Sequence, residues 1–376
     1  MERYLKATVA DDLAEKMVFL GGPRQVGKTT LALSLLDGGD ESHPAYLNWD
    51  DVNARRMLLQ GALPSDQELV VFDEIHKFRG WRNLIKGFYD KHKSGRRFLI
   101  TGSARLDHYR RGGDSLQGRY HYHRLHPLSL HEVNPASTST DFDHLLHFGG
   151  FPEPFLRGSD KHWKRWQRER LSRVIYEDLV NLEHVKQVSQ MDLLASVLPD
   201  RVGSPLSVNN LREELSVSFE TADRWIGILE NLYYCFRIQP YGVPTLRAAR
   251  KERKLYMWDW SLCRDKAARF ENLVASNLLK YCHWREDTEG DRMNLCFLRD
   301  SQGRELDFVV LRDGKPEFAV ECKSGDRKLS RNIAYFAERV PIPLIYQVHL
   351  QQKDVEFSQY RARILPITRL AAILGV

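Results

Sequence analysis

The chain has 376 residues, enough for more than one domain at about 150 residues per domain. Its 42% hydrophobic and 28% charged residues exclude fibrous and wholly disordered classes. The net charge of +6 permits nucleic-acid binding without requiring it. Because the sequence shows no apolar run of about 18 residues, no apolar leader and only scattered cysteines, we expect a cytoplasmic protein without a membrane anchor.

Short apolar runs alternate with segments of helical periodicity over the first third of the chain. The predicted strands are 17–20, 45–48, 69–72, 98–101 and 120–125, and the predicted helices are 28–36 and 81–92. This alternation is typical of an α/β fold in which a mostly parallel sheet carries helices on both faces. Farther along, the sequence predicts mainly helices to residue 241, then a helix at 267–279 and strands at 295–298, 306–311 and 318–322.

A phosphate-binding loop is predicted at the end of the first strand. Residues 22–29 match G-x-x-x-x-G-K-[ST] at every fixed position, with a strand before them and a helix after them. In this motif backbone N–H groups surround the phosphates, Lys28 would reach the β- and γ-phosphates, and Thr29 would bind Mg²⁺. We therefore expect ATP and Mg²⁺ to be bound by Gly22, Pro23, Arg24, Gln25, Val26, Gly27, Lys28, Thr29 and Thr30.

Two acidic residues follow the predicted strand at 69–72. Asp73 would hold Mg²⁺ through water, and Glu74 would polarise the attacking water. A strand that ends in a solvated acidic turn would have the same sequence. Together with the phosphate-binding loop, however, the pair favours ATP hydrolysis over nucleotide storage.

The strand at 98–101 ends in hydroxyl side chains that would lie beside the phosphate-binding loop. Thr101 or Ser103 would sense the γ-phosphate, although a strand cap explains these residues equally well. Arg105 and Arg119 follow, and either would serve as a sensor or as an arginine finger acting on a neighbouring subunit. We favour Arg119, and a site completed by a neighbour's arginine predicts a homo-oligomer.

The order of these motifs resembles that of a known family. After the phosphate-binding loop come Phe-Asp-Glu-Ile-His-Lys with Trp81, Ile-Thr-Gly-Ser, Leu-Gln-Gly-Arg119, Pro127-Leu-Ser and Gly149-Gly-Phe-Pro-Glu153. Over nearly the whole chain this resembles the prokaryotic AAA+-superfamily ATPases that carry a C-terminal DUF4143 domain. The resemblance implies an ATPase core, a winged helix and a C-terminal domain similar to PD-(D/E)XK nucleases.

A helix-turn-helix pattern spans residues 206–232, and a basic stretch at 247–254 would form the wing. In such proteins the N-terminal half of the second helix meets base edges, and the wing contacts phosphates. A winged helix that packs against another protein domain is the alternative. On the first interpretation we expect DNA contacts from Thr221, Arg224, Trp225, Arg250 and Lys251.

A second basic segment, 161–173, contains two tryptophans. Lys164 and Arg165 would contact DNA phosphates while Trp163 and Trp166 stack on bases. The spacing also fits a helix whose tryptophans share one buried face while the basic side chains are solvated. We favour this second interpretation for the tryptophans.

Residues 304–323 predict a β-hairpin around an Asp-Gly turn. A two-residue Asp-Gly loop would pair Asp307 with Val320 and turn Glu321 to the other face. A three-residue Asp-Gly-Lys loop would instead pair Asp307 with Glu321, on the face that also carries Lys323. Only the second register makes a metal site.

In that register Asp307 and Glu321 would bind Mg²⁺, and Lys323 would orient the attacking water. The arrangement is similar to the D…E-x-K core of PD-(D/E)XK nucleases. Glu271 matches the additional helical acid of some branches of that group, including Holliday-junction resolvases, and Glu305 is a lesser candidate. A surface ion pair between Glu321 and Lys323 is the structural alternative.

These observations predict three domains. Residues 1–135 form an AAA+ ATPase domain with a P-loop NTPase (RecA-like) sheet, 136–253 a helical segment and winged helix, and 254–376 a PD-(D/E)XK-like α/β domain. The predicted function is a Mg²⁺-dependent ATPase that binds and remodels or processes DNA, with cutting of branched DNA as a further expectation. The alternative is an ATP-switched signalling or regulatory assembly module whose nuclease-like domain is inert. A sequence-specific repressor would not need the Asp73-Glu74 pair.

Overall fold

A computed structural model of the chain describes residues 1–102, 116–136, 138–173, 188–242, 253–323, 325 and 328–376. Their contacts separate into two compact units, Met1–His126 and Pro127–Val376. Among these described residues, no helix combines the length and the apolar character that crossing a membrane requires.

The first unit is built on a five-stranded parallel sheet in the order β2-β3-β4-β1-β5. All five residues of its first strand are buried, as expected for a parallel sheet covered on both faces. The predicted α/β class is therefore confirmed. The strands are β1 (Met17–Gly21), β2 (Tyr46–Asn48), β3 (Leu69–Asp73), β4 (Arg97–Thr101) and β5 (Tyr120–Arg124), and the helices are α1 (Lys6–Asp12), α2 (Lys28–Leu33), α3 (Val52–Leu59) and α4 (Trp81–His92).

Local sequence explains where the helices of this unit begin and which face they bury. The Asp51 side chain caps α3 by accepting hydrogen bonds from the next backbone N–H groups. Along α4, Trp81, Ile85 and Phe88 are buried at helical spacing and form one apolar face. The Phe88 ring stacks 6.0 Å from that of Phe72 on β3, so α4 packs on the sheet behind the acidic pair.

The second unit combines helices with an eight-stranded sheet in the order β12-β13-β11-β10-β9-β8-β6-β7. Its described helices are α5 (Leu130–Val133), α6 (Ser139–Phe148), α7 (Pro152–Arg157), α8 (Asp160–Ser172), α9 (Val188–Val197), α10 (Val208–Leu215), α11 (Phe219–Asn231), α12 (Lys266–Glu289), α13 (Arg331–Ala337) and α14 (Ile367–Leu374). Its strands are β6 (Cys235–Pro240), β7 (Lys254–Met257), β8 (Met293–Arg299), β9 (Glu305–Arg312), β10 (Lys315–Cys322), β11 (Ile345–His349), β12 (Val355–Phe357) and β13 (Ala362–Pro366).

The strands that follow the helix pair α10–α11 belong to the same sheet as the C-terminal strands. β6 pairs with β7 in an antiparallel hairpin, in which Ile238 lies opposite Lys254. β6 also pairs in parallel with β8, where Gln239 lies opposite Cys296. The predicted domain boundary at residue 253 therefore falls inside a hairpin whose two strands both join the C-terminal sheet.

Candidate functional site

The phosphate-binding loop connects β1 to α2 at the carboxyl edge of the first sheet. Gly22 has φ of 137°, and a Cβ there would lie 2.4 Å from the Leu125 carbonyl oxygen. Gly27 has φ of 98° and precedes the first turn of α2. Both positions therefore require glycine, and both are the glycines that the motif fixes.

Lys28 is buried, and its ammonium group lies inside the loop. Its Nζ donates hydrogen bonds to the carbonyl oxygens of Gly22 at 3.0 Å and Pro23 at 2.7 Å. A lysine held on the concave side of a turn of backbone N–H groups is the arrangement that binds phosphate. Thr30 is exposed in the first turn of the helix.

The Asp73 carboxylate collects hydroxyl groups from three different elements. Thr29 Oγ1 lies 2.8 Å from Asp73 Oδ2, and the Tyr46 hydroxyl donates to the same oxygen at 2.7 Å. Thr101 Oγ1 donates to Asp73 Oδ1. Burial and the bond to Asp73 raise the pKa of Tyr46, so Tyr46 stays a donor at neutral pH.

This arrangement fits Mg²⁺, which prefers oxygen ligands and is bound in proteins by few side chains. The carboxylate of Asp73 and the hydroxyl of Thr29 already converge, although they are 44 positions apart in sequence. Thr101 lies beside Asp73, and because its hydroxyl group donates to that carboxylate, it does not face a phosphate. Ser103 and Arg105, the other residues predicted near this strand, lie outside the described residues.

Glu74 occupies a strained backbone position directly after β3. Its φ is 56°, in the left-handed region. Its Oε2 lies 3.4 Å from Lys77 Nζ and 3.6 Å from His76 Nε2. Lys77 also pairs with Asp50 at 2.5 Å. Glu74 is thus at the predicted place beside Asp73, with a lysine as its partner in this structure.

Arg3 supports the loop from behind, a contact that the sequence did not indicate. Its guanidinium group donates to the carbonyl oxygens of Val26 at 2.6 Å and His126 at 2.5 Å. Tyr4 donates to Arg124 at the end of β5. The chain start therefore ties the loop to the neighbouring strand.

Arg119 lies at the amino ends of the strands, whereas the phosphate-binding loop lies at their carboxyl ends. It precedes β5, whose Tyr120 pairs with Met17 at the start of β1, whereas the loop follows the end of β1. Its Nε donates to Asp90 Oδ1 at 3.0 Å. The two ends are about 13 Å apart at roughly 3.3 Å per residue, so a sensor role in the same subunit is excluded. The finger role toward a neighbour stays a prediction.

The hairpin β9–β10 reaches the predicted register by a different route. Its turn has two residues, because Arg312 pairs with Lys315, so the two-residue alternative is present, but the register predicted for that loop is wrong. A β-bulge between Pro316 and Phe318 then shifts the register by one residue, and Val320 pairs with Phe308. One step further this register brings the strand positions of the two predicted acids opposite each other, and the Cys322 N–H donates to Asp307 Oδ2 at 2.8 Å.

A buried lysine lies among the acids of this region. Lys254 on β7 is 1% exposed, and its Nζ lies 2.5 Å from Glu305, 3.6 Å from Glu271 and 3.8 Å from Asp307. We call these three acids the C-terminal acid cluster. Lys254 belongs to the stretch predicted to form a wing on DNA phosphates, and its burial shows that this expectation is wrong for Lys254.

The charged groups in and beside the C-terminal acid cluster change one another's pKa values. Burial and the Asp307 carboxylate raise the pKa of Glu271 and of Glu321. Burial lowers the pKa of Lys254, but the surrounding carboxylates outweigh it and leave this pKa above its ordinary value. Glu321 pairs with Lys323 at 2.6 Å, and within the described part of the chain its Oε2 has no hydrogen-bond partner.

The acids do not form a site that fits a metal ion in this arrangement. Among the described residues, no three His, Cys, Asp or Glu side chains are placed to hold one. The space between Glu271 and Asp307 is approached by the Lys254 ammonium instead.

The helix pair α10–α11 has the order expected of a helix-turn-helix. Thr221 is half-buried and hydrogen-bonds to the capping Ser218, Arg224 is exposed, and Trp225 is fully buried. Trp225 therefore packs in the core and does not face bases. Arg250 and Lys251 lie outside the described residues.

On α8 Trp166 is buried and Trp163 half-buried, while Arg170 is buried as well, unlike the solvated basic residues favoured from the spacing. Trp166 is 2% exposed, and Trp163 Nε1 donates to Ser261 Oγ at 3.0 Å. Lys164 and Arg165 are exposed. The burial of Trp166 opposes base stacking by that residue, whereas stacking by Trp163 and phosphate contact by the two basic residues stay predictions.

Three family descriptions match consecutive parts of the chain. Residues 14–134 match the family described as an AAA domain. Residues 139–272 match a domain of unknown function, DUF8612. Residues 266–370 match another domain of unknown function, DUF4143.

Similar proteins come from bacteria and archaea. An uncharacterized protein of Mycobacterium tuberculosis is 25% identical over 341 residues, which cover 84% of this chain and 75% of that protein. An uncharacterized protein of Methanocaldococcus jannaschii is 22% identical over 362 residues, covering 87% and 79%.

Solved structures are similar at a lower level. The Aeropyrum pernix ORC1 protein, solved in complex with DNA, gives a TM-score of 0.34 at 14% identity, covering 73% of this chain and 93% of that one. The Thermotoga maritima RuvB Holliday junction branch migration motor gives 0.31 at 16%, covering 62% and 88%. The chain thus combines an AAA domain with a C-terminal DUF4143 domain, as the resemblance implied.

Proposed function

We propose that this protein hydrolyses ATP with Mg²⁺ at the phosphate-binding loop of its first unit. The observation that carries the proposal is the convergence of Thr29 and Asp73 at 2.8 Å, next to a buried Lys28. A hydroxyl, a carboxylate and an ammonium group at the carboxyl edge of a parallel sheet are the groups that Mg²⁺ and two phosphates require. The match of residues 14–134 to an AAA domain supports the same activity.

Each side chain has a separate task in this proposal. The Lys28 ammonium exchanges the Gly22 and Pro23 carbonyl oxygens for phosphate oxygens when the nucleotide enters. Thr29 and Asp73 would hold Mg²⁺, which neutralises charge on the phosphates. Glu74 orients the attacking water and accepts its proton, which requires the Glu74 carboxylate to part from Lys77.

The test is phosphate release from ATP by the full chain, with Mg²⁺ and with EDTA. Lys28→Ala should lower the rate by about 100-fold or more, because the phosphates lose their buried charged donor. Lys93→Ala, an exposed lysine of the same unit, is the matched control and should behave as wild type. Equal rates for Lys28→Ala and wild type would overturn the proposal.

We further infer that DNA is the partner, bound along an exposed face of α8. Lys161, Lys164, Arg165 and Arg168 are exposed and spaced i, i+3, i+4 and i+7, so they share one face. We call these four residues the basic stripe. Within the described residues, none of them forms an ion pair, so their charges are available to phosphates.

Salt dependence tests this partner. The slope of log affinity against log salt is negative. If Lys164 and Arg165 contact phosphates, the double variant Lys164→Ala/Arg165→Ala should make this slope shallower by about 2. The double variant Lys91→Ala/Lys93→Ala removes two exposed lysines from the first unit and should leave the slope unchanged. An unchanged slope in the first variant would contradict DNA binding by the basic stripe.

The alternative function, a nucleotide-switched regulatory module, is favoured by the charge of the helix pair α10–α11. Residues 208–231 contain two basic side chains, both arginine, and five acidic ones: Glu213, Glu214, Glu220, Asp223 and Glu230. Carboxylates repel phosphates, so this surface fits a protein partner better than DNA. Absence of any salt-dependent DNA affinity would contradict DNA binding and favour this alternative.

DNA cutting by Asp307, Glu321 and Lys323 is the most specific part of the predicted function. The bulged register supports it, and the Lys254 ammonium opposes it. The test is Mg²⁺-dependent cleavage of four-way junction, fork, duplex and single-stranded DNA by wild type and Glu321→Ala. Cutting that disappears in Glu321→Ala would establish a nuclease, and its absence would leave an ATPase with an inert C-terminal domain.

A further inference from the structure

The Lys254 side chain extends from strand β7 into the C-terminal acid cluster, and its position there is fixed. Its backbone pairs with Ile238 in the β6–β7 hairpin, and 1% of the residue is exposed. The ammonium group lies 5.6 Å from the centre of the Phe297 ring, whose face favours a cation. Ladder pairing and an aromatic neighbour therefore fix this charge inside the protein.

The ammonium group lies among carboxylates that would attract any cation. It is within 4 Å of an oxygen on each of Glu271, Glu305 and Asp307, which come from two different elements, α12 and β9. Mg²⁺ bound to the same oxygens at about 2.0–2.1 Å would lie only a few ångströms from a fixed positive charge. Two cations so close in a buried site repel each other strongly.

The remaining acid of the predicted nuclease core also has its own cation. Glu321 pairs with Lys323 at 2.6 Å and accepts from Ser330 at 3.3 Å. Asp307 Oδ2 is used by the Cys322 N–H. One oxygen of each of these two acids is therefore engaged by groups of the chain itself, whereas Glu321 Oε2 has no hydrogen-bond partner among the described residues.

We propose that Lys254 is the resident cation of the C-terminal acid cluster, so that Glu271 and Asp307 bind no divalent metal ion. The ammonium group joins the β6–β7 hairpin to α12 and β9, and thereby fastens the helix pair α10–α11 to the C-terminal sheet. This inference does not depend on the proposed ATPase activity, since every residue involved belongs to the second unit.

Binding of Mn²⁺ to the full chain without nucleotide, followed by electron paramagnetic resonance, tests the inference. Wild type and Asp307→Asn should bind the same number of Mn²⁺ ions, since the acid cluster holds none. Lys254→Met removes the ammonium group at similar side-chain length and should gain one ion per chain. Adding Asp307→Asn to Lys254→Met should remove that ion again, which assigns it to the cluster.

Two results would overturn the inference. One is a Mn²⁺ ion in wild type that Asp307→Asn loses. The other is a Lys254→Met protein that is folded by circular dichroism and gains no ion. If Lys254→Met does not fold, the comparison of wild type with Asp307→Asn decides alone, and Lys254→Arg, which keeps the charge, should bind as wild type does.

Discussion

The Tyr46 hydroxyl donates a hydrogen bond of 2.7 Å to Oδ2 of Asp73, on the oxygen that also lies 2.8 Å from Thr29. Tyr46 is thus a positioning residue for the carboxylate that is proposed to hold Mg²⁺. Tyr46→Phe removes a donor to a charged group, worth about 1.5–3 kcal/mol at most. We expect the Mg²⁺ concentration at half-maximal ATPase rate to rise about tenfold, with a smaller change in kcat at saturating Mg²⁺.

A Mg²⁺ titration of ATPase rate at saturating ATP measures this effect. Tyr89→Phe, which removes a hydroxyl from α4 in the same unit, is the control and should titrate as wild type. A drop in kcat with an unchanged Mg²⁺ midpoint would show that Tyr46 does not act through Asp73.

Glu74 is placed to act on water and not on the nucleotide, since it follows Asp73 at the end of β3. Glu74→Gln keeps the side-chain shape and removes the base, so hydrolysis should fall about 100- to 10,000-fold. ATP affinity should change little. Phosphate release and equilibrium nucleotide binding separate the two quantities.

Glu68→Gln provides the control, because Glu68 precedes the same strand and is exposed at its other end. It should retain full activity. Loss of ATP binding in Glu74→Gln, in parallel with hydrolysis, would mean that Glu74 supports the loop and does not act in the chemical step.

The ATP site could be predicted from sequence because its residues are fixed by a local backbone shape. Gly22 and Gly27 occupy positive φ angles that the motif demands, and Asp73 ends a strand whose apolar run is continuous. Tyr46 was not predicted, because its contact with Asp73 depends on pairing between β2 and β3, and no local sequence pattern encodes that pairing. The pairing of β5 with β1 likewise sets the distance of Arg119 from the loop, and it leaves the finger role toward a neighbour as the prediction for Arg119.

The C-terminal site shows how a single residue changes a prediction. Counting along the hairpin linked a two-residue turn to pairing of Asp307 with Val320, and this link is wrong because no sequence signal revealed the bulge between Pro316 and Phe318. Lys254 looked like part of a basic surface stretch, because its neighbours in sequence are charged. Its burial follows from pairing opposite Ile238, a contact that only the folded sheet defines.

A buried ion pair connects α12 to the start of the second unit. Lys280 pairs with Glu132, both side chains are 2% exposed, and Lys280 also donates to Ser129 Oγ at 3.0 Å. Lys280→Met leaves Glu132 as a buried charge without its cation, which should cost about 3–5 kcal/mol of unfolding free energy. Adding Glu132→Gln should recover part of this loss.

Urea unfolding of the two single variants and the double variant measures the coupling. Lys266→Met, at an exposed lysine of the same helix, should leave the unfolding free energy within about 0.5 kcal/mol of wild type. Additive effects of Lys280→Met and Glu132→Gln would show that the two side chains do not stabilise each other.

Asp259 predicts a pH dependence of stability for the second unit. Burial raises the pKa of this carboxyl group above its ordinary value of 3.8, against the opposing effect of Arg170. The folded protein therefore holds the proton more tightly than the unfolded chain, and stability is lost as the pH rises from 3.8 through the raised pKa. Asp259→Asn stays neutral, keeps an acceptor for Ser261, and removes this loss.

The melting temperature of Asp259→Asn relative to wild type should therefore increase as the pH rises from 3.8 through the raised pKa of Asp259. Any cost of the new amide group is independent of pH and does not affect this trend. Asp143→Asn, at an exposed aspartate of α6, should show no such trend. A constant difference between Asp259→Asn and wild type across the pH range would mean that Asp259 is ionised in the folded protein and balanced by the Arg170 guanidinium group.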